Sequence, residues 1–149
     1  MSESVKVRRA EPAEVIDLRH RILRAGLPRD TAIFPGDDNP TARHFVAQTT
    51  DGRIVGTLTL HLNSWESQPA WQLRGMAVDP ALQGAGIGAQ LLLAAEQSVR
   101  DDSPTGLLWC NARVPAVRFY EKNGWTVVSE QFEVPTAGPH VKMIKRLDR

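Results

Sequence analysis

The run Met76–Leu93, MAVDPALQGAGIGAQLLL, constrains this chain more than any other stretch. It reads as the end of a strand, a turn, a glycine-rich loop and the start of a helix. In Gln83-Gly84-Ala85-Gly86-Ile87-Gly88, four of six residues carry nothing beyond Cβ. Such a loop lets a ligand approach the main chain and lets several N–H groups converge on one spot. Ile87, Leu91, Ala94, Ala95 and Val99 then recur on one helical face. The first N–H groups of a helix have no intrahelical partner, and the helix dipole is positive there. The pattern therefore predicts an anion site, with phosphate as its natural occupant.

Three phosphate-binding patterns compete for this loop. Gly84, Gly86 and Ala89 fit the dinucleotide fingerprint G-x-G-x-x-A, with Asp102 downstream. Against it, Asp79–Gln83 separates the strand from the first glycine, and too little chain follows for a doubly wound sheet. A nucleotide P-loop requires Gly-Lys-Ser/Thr, which is missing. The third pattern is Gln-x-x-Gly-x-Gly after Val-x-Pro, matched by Val78-Asp79-Pro80 and Gln83–Gly88.

Composition narrows the partners. A length of 149 residues predicts one domain, residues 1–149, able to bury its own core. A net charge of +1 argues against a nucleic-acid or membrane partner. The basic residues Lys142, Lys145, Arg146 and Arg149 read as a solvated strand edge. The lone Cys110 excludes an intrachain disulfide and a cysteine zinc site, and its apolar surroundings predict a buried structural thiol. No metal is expected. The start of the chain has no signal-peptide core and no run is long enough to span a membrane, so a cytoplasmic protein is expected.

Strands are predicted at Val5–Arg9, His44–Thr49, Arg53–Leu62 and Trp71–Val78, then at Gly106–Ala112, Trp125–Val134 and His140–Leu147. Asp51-Gly52 marks a hairpin, and Gly75 within a strand marks a bulge or a close approach. A helix opens at Glu11-Pro12 and buries Val15, Leu18 and Ile22, with Arg19, Arg21 and Arg24 turned outward. Residues Arg29–Thr41 read as an irregular, functional loop. A further helix begins at Pro115 and closes at Gly124.

Two motifs carry a family resemblance. Val78-Asp79-Pro80 with Gln83–Gly88, and Asn111 with Ala116, Phe119, Tyr120, Gly124 and Trp125, resemble the GNAT superfamily of acyl-CoA-dependent N-acetyltransferases. The resemblance covers nearly the whole chain after the Arg29–Thr41 loop. It implies a single mixed α/β domain whose mostly antiparallel sheet splays at the centre between flanking helices. It implies acetyl-CoA as cosubstrate and an amine acceptor, either a small molecule or a peptide, with transfer in a ternary complex. The pyrophosphate would lie on Gln83, Gly84, Ala85, Gly86, Ile87, Gly88 and Ala89. The pantetheine arm would lie on Met76, Ala77 and Val78, with Asn111 bonding its amide. The Arg29–Thr41 loop would cover the acceptor, and a homodimer through the final strands is compatible.

Tyr120 is either a core residue or the general acid that protonates the leaving thiolate; the latter reading is favoured. A backbone N–H near Met76 is the candidate oxyanion donor. Many relatives hold a glutamate on the strand before the glycine loop, and Trp71–Val78 contains no carboxylate. His61, Glu66 and His140 are the remaining candidates for the base, with His140 favoured from its setting, Gly138-Pro139-His140-Val141-Lys142-Met143. Arg74 would bind an anionic acceptor or pair with an acid. Arg113, Arg118 and Lys122 are candidates for the 3′-phosphate. The missing carboxylate also leaves open a module that senses acyl-CoA without turnover.

Overall fold

The computed structural model describes residues 4–135 and 137–147. The chain runs β1 (Val5–Ala10), α1 (Ile16–Leu23), β2 (Arg43–Thr49), β3 (Ile54–Leu62) and β4 (Trp71–Val78). It continues with α2 (Ile87–Asp102), β5 (Leu107–Arg113), α3 (Val117–Lys122), β6 (Thr126–Val127), β7 (Phe132–Val134) and β8 (Gly138–Arg146). The fold is mixed α/β, with one eight-stranded sheet in the order β1-β2-β3-β4-β5-β8-β6 and β7 beside β8. Every pairing is antiparallel except β4 with β5.

That one parallel pairing positions the site. β4 and β5 share only the pairs Trp71↔Leu108 and Gln72↔Trp109. β5 then stays with β8 as far as Arg113↔His140, and β4 stays with β3 as far as Val78. The sheet is therefore zipped at one end of this pair and open at the other. The dinucleotide fingerprint needs a doubly wound parallel sheet, which this is not.

A bulge in β4 sharpens the parting. Thr57 pairs with Ala77 and Thr59 with Arg74, so β4 carries one residue more than β3 across Leu58. Gly75 adopts φ +65, and a Cβ there would lie 2.6 Å from Arg19 Nε and 3.1 Å from the Phe34 ring. The bulge and close approach read from Gly75 are both present, and each requires glycine.

Helix α2 covers the sheet with Ile87, Leu91, Leu92, Ala95 and Val99, all buried. Burying each of Ile87, Leu91, Leu92 and Val99 contributes about 1.5–3 kcal/mol relative to exposure. This packing fixes where the helix N-terminus points. The Asp51-Gly52 turn joins β2 to β3 as expected, with the Gly52 N–H donating to the Thr49 carbonyl at 3.0 Å. The strand expected over Trp125–Val134 is instead two short ones. The Ser129 hydroxyl takes the Lys142 N–H at 2.8 Å, so a side chain interrupts the ladder where Val127-Val128 breaks the alternation. β8 starts at Gly138, two residues before the expected His140.

The solvated edge expected of the last basic residues holds only for Arg146, which is exposed; β8 lies between β5 and the short strands β6 and β7, Lys142 and Lys145 are half-buried, and Arg149 lies outside the described residues. Lys145 Nζ donates to the buried Glu96 and to the Asn123 carbonyl, both at 2.8 Å. Among the described residues no helix is long and apolar enough to cross a membrane.

Candidate active site

The first half of the site is made of main chain. After β4, Asp79 accepts the Ala81 N–H at 3.0 Å and closes a turn over Pro80–Leu82. The exposed loop then reaches Gly86, whose φ of +81 ends the loop and starts α2 without a capping side chain. Among the described residues, no backbone carbonyl takes the N–H of Gly86, Ile87, Gly88 or Ala89. A cavity of about 550 Å³ opens beside them. A Cβ on Gly88 would lie 2.9 Å from the Phe119 ring, so this glycine lets α3 press against the loop. Of the residues predicted to hold the diphosphate and the pantetheine arm, all line this cavity except Ala85 and Asn111; of the candidates for the 3′-phosphate, Arg113 lines the second cavity described below, and Arg118 and Lys122 line neither. Free N–H groups at a helix start, beside an open cavity, fit a diphosphate.

The second half lies on the other side of the open strands. A cavity of about 260 Å³ is bounded by the end of α1, Phe34, β4, β5 and the start of β8. Met76, Ala116 and Tyr120 line both cavities and so form the boundary between them. Tyr120 is buried and donates its O–H to the Met76 sulfur at 3.7 Å, reaching from α3 to β4 across the gap. Burial, with a smaller effect from Cys110, pushes the phenol well above its ordinary value.

Side chains dominate this smaller cavity. Arg24, Arg74 and Arg113 line it. The guanidinium groups of Arg24 and Arg74 lie 5.3 and 4.5 Å from the centre of the Phe34 ring. Burial lowers the pKa of both arginines, assisted by Arg113 and Arg19 at Arg24 and by Arg19 at Arg74. His140 is buried, faces Phe132 at 6.0 Å, and donates Nδ1–H to the Gly138 carbonyl at 2.9 Å. That bond assigns the neutral ring a free acceptor at Nε2. Asn111 lines this cavity, is exposed, and accepts from Lys142 Nζ at 3.0 Å. Burial pushes the Cys110 thiol up to about 12, as expected of a structural thiol.

The Arg29–Thr41 loop is tied down by a polar cluster that sequence reading missed. Arg19 was expected to point outward, yet it is fully buried. It donates to the Asp37 carboxylate at 2.6 and 3.2 Å and to Thr59 Oγ at 2.8 Å. Asp37 also accepts from His61 Nε2 at 3.0 Å and from the Phe34 N–H at 2.8 Å. His44 completes the set, bonding Thr59 Oγ and the Asp37 carbonyl, both at 2.8 Å. Burial pushes the Asp37 carboxyl up, but the bonds from His61, Arg19 and Phe34 outweigh it and hold it well below the carboxylate range. The cluster fixes Phe34 and with it the wall of the smaller cavity. His61 is thereby committed to Asp37, and Glu66 lies exposed in the turn Trp65–Gln68.

One signal for Arg19 was present in the sequence: it stands four residues after Val15 and three before Ile22, on the apolar face. For Asp37 there was none, since it sits among turn formers. Among the described residues no group of three or more His, Cys, Asp or Glu is placed to hold a metal ion.

Residues 38–147 match the family model described as acetyltransferase (GNAT) domain. The chain is 29% identical to the uncharacterized N-acetyltransferase YitI of Bacillus subtilis (strain 168), over 96% of this chain and 97% of that one. Its fold is similar to Escherichia coli ElaA, with a TM-score of 0.78 at 18% identity, covering 96% of this chain and 100% of that one. It is also similar to an aminoglycoside 6′-N-acetyltransferase solved with coenzyme A, with a TM-score of 0.75 at 15% identity, covering 97% of this chain and 98% of that one. The chain belongs to the GNAT acetyltransferase family. The parted strands and glycine loop seen here are the features that the sequence resemblance implied.

Proposed function

We propose that residues 1–149 act as one unit that moves an acetyl group from acetyl-CoA to a primary amine by direct attack. The observation that carries this reading is the boundary: one buried phenol, Tyr120, belongs to both cavities at the point where β4 and β5 have separated. The coenzyme diphosphate would take the N–H groups of Gly86–Ala89, and the thioester would reach Met76 and Tyr120. The amine would enter from the arginine-lined side.

In this reading a C–N bond forms at the acetyl carbon and the C–S bond breaks. The amine gives up one proton and the departing thiolate gains one. Tyr120 supplies the proton to sulfur. Its raised pKa keeps it protonated at neutral pH but weakens outright release, so transfer accompanies C–S cleavage rather than preceding it. The Met76 thioether is a weak acceptor, so the hydroxyl gives it up readily for a thiolate. His140 Nε2, left as an acceptor by the Nδ1 bond, takes the amine proton directly or through water. A main-chain N–H at the β4 bulge near Met76 faces the developing oxyanion. Cys110, with its thiol pushed up to about 12, is unsuited to carry the acetyl group.

The reading is tested by thiol release and product mass with acetyl-CoA and a panel of amines. The expected result is an N-acetylated product and intersecting initial-velocity lines. Parallel lines would contradict direct attack. Tight acetyl-CoA binding with no product from any amine would instead support a sensor. Localisation to the cytoplasm and pairing of two copies through the final strands belong to the same proposal; fractionation of cells and light scattering of the pure protein test them.

A further inference from the structure

The smaller cavity is charged in one sense only. Arg24, Arg74 and Arg113 line it, and no Asp or Glu does so among the described residues. Arg24 and Arg74 are half-buried and Arg113 is exposed at the rim. Nearby, the buried Arg19 has Asp37 and the half-buried Lys145 has Glu96, whereas Lys142 bonds the Asn111 side-chain oxygen. The Arg24 guanidinium bonds only the Leu23 carbonyl, and the side chains of Arg74 and Arg113 make no hydrogen bond or ion pair among the described residues, Arg24 and Arg74 lying over the Phe34 ring. Three guanidinium groups gathered round a half-buried hollow repel one another, and a low local dielectric sharpens that repulsion. Arginine offers a planar fork that matches carboxylate and phosphate oxygens.

Resting on the acetyl-transfer reading above, we propose that the acceptor is a small primary amine that also bears an anionic group, a carboxylate or a phosphate ester, held by Arg24, Arg74 and Arg113. The coenzyme's own diphosphate does not account for these arginines, because the free N–H groups of the glycine loop lie on the other side of Met76 and Tyr120. A volume of about 260 Å³ suits a small acceptor and not a long polymer.

The same charge explains why β4 can lack a carboxylate. A cationic ammonium group is disfavoured beside three guanidinium groups, so the bound acceptor shifts toward the neutral amine that attacks. A carboxylate at that position would undo the effect and compete with the acceptor's anionic group. His140 then needs only to receive the proton, not to strip it from a strongly stabilised ammonium.

The experiment compares paired acceptors with acetyl-CoA and the full chain: L-alanine against L-alaninamide, 2-aminoethyl phosphate against ethanolamine, and spermidine alone. The proposal expects kcat/KM for at least one anionic member to exceed that of its neutral partner by about 100-fold, the better pair telling carboxylate from phosphate. Arg74→Gln and Arg24→Gln should each shrink that preference at least tenfold. Arg100→Gln, an exposed position on α2, should leave it intact and so exclude a general charge effect. Neutral amines or spermidine used as well as the anionic acceptors would overturn the proposal while leaving acetyl transfer standing.

If no amine is acetylated, the transfer reading fails and the anion site is read by binding instead. Thermal shift with N-acetyl-L-alanine, with N-acetyl-2-aminoethyl phosphate and with the neutral N-acetyl-L-alaninamide then decides it. A shift with either anion and not with the amide, lost in Arg74→Gln, supports the site; no shift with either anion overturns it. Arg74→Lys keeps the charge without the fork, and serves if the glutamine variant does not fold.

Discussion

The two cavities that meet at Tyr120 are built from different materials. The side proposed for the coenzyme is main chain: a left-handed Gly86, free N–H groups at the start of α2, and a glycine, Gly88, that lets Phe119 approach. The side proposed for the acceptor is side chains drawn from the end of α1 and Arg24, the Arg29–Thr41 loop, β4, β5 and β8. The first can be written in a dozen consecutive residues. The second exists only once distant segments have folded together. A family that keeps one acyl carrier and changes its amines would divide its sequence in this way, with a legible carrier site and a scattered acceptor site.

The largest effect that would break this contrast concerns the polar cluster behind the acceptor wall. Asp37→Ala leaves the fully buried Arg19 without its carboxylate, an unpaired charge that typically costs about 3–5 kcal/mol. The expected outcome is a fall of that size in urea unfolding, with the acceptor KM rising because Phe34 loses its tether. A stability within about 0.5 kcal/mol of the parent would show that the cluster does not hold the loop.

What sequence could and could not reveal follows the same line. The glycine loop, the β4 bulge at Gly75 and the Ala116–Trp125 motif are local patterns, and each appears where expected. Arg19 was misread because a charged residue on an apolar helix face was assigned to solvent, while its partner Asp37 sits eighteen positions away in a loop with no periodicity. Arg24 and Arg113 share a cavity only because β5 and the end of α1 face one another in the fold, a placement no local pattern shows. The broken strand at Ser129 depended on one hydroxyl entering the β8 ladder, which no propensity encodes.

A smaller effect sharpens the coenzyme half. Gly86→Ala puts a Cβ on a residue at φ +81, a strain of about 1–2 kcal/mol. KM for acetyl-CoA should rise about tenfold while KM for the amine stays within about twofold. An equal rise in both constants would mean that the cavities are not separable.

The acceptor half should also be the acid-sensitive one. His44, buried neutral, is held below its ordinary 6.5 by burial, against the opposing bond to the Asp37 carbonyl. Asp37 lies below its ordinary 3.8. Both pKa values are depressed on folding, so both groups stabilise the fold above their unfolded values and lose that contribution as pH falls. Unfolding free energy should decline gently below pH 6.5 and more steeply below pH 3.8. In Asp37→Asn the steeper limb should weaken; an unchanged limb would place the sensitivity elsewhere.

The boundary itself is tested most directly by Tyr120→Phe, followed in parallel by acetyl-CoA binding and by turnover with a competent amine. The hydroxyl bonds only Met76 sulfur among the described residues, so its loss should leave the fold and the coenzyme Kd within about twofold. The same change should lower kcat by about 100-fold, the lower end of what a positioned general acid contributes. Turnover equal to the parent would contradict the claim that acetyl transfer is completed by this phenol in the gap between β4 and β5.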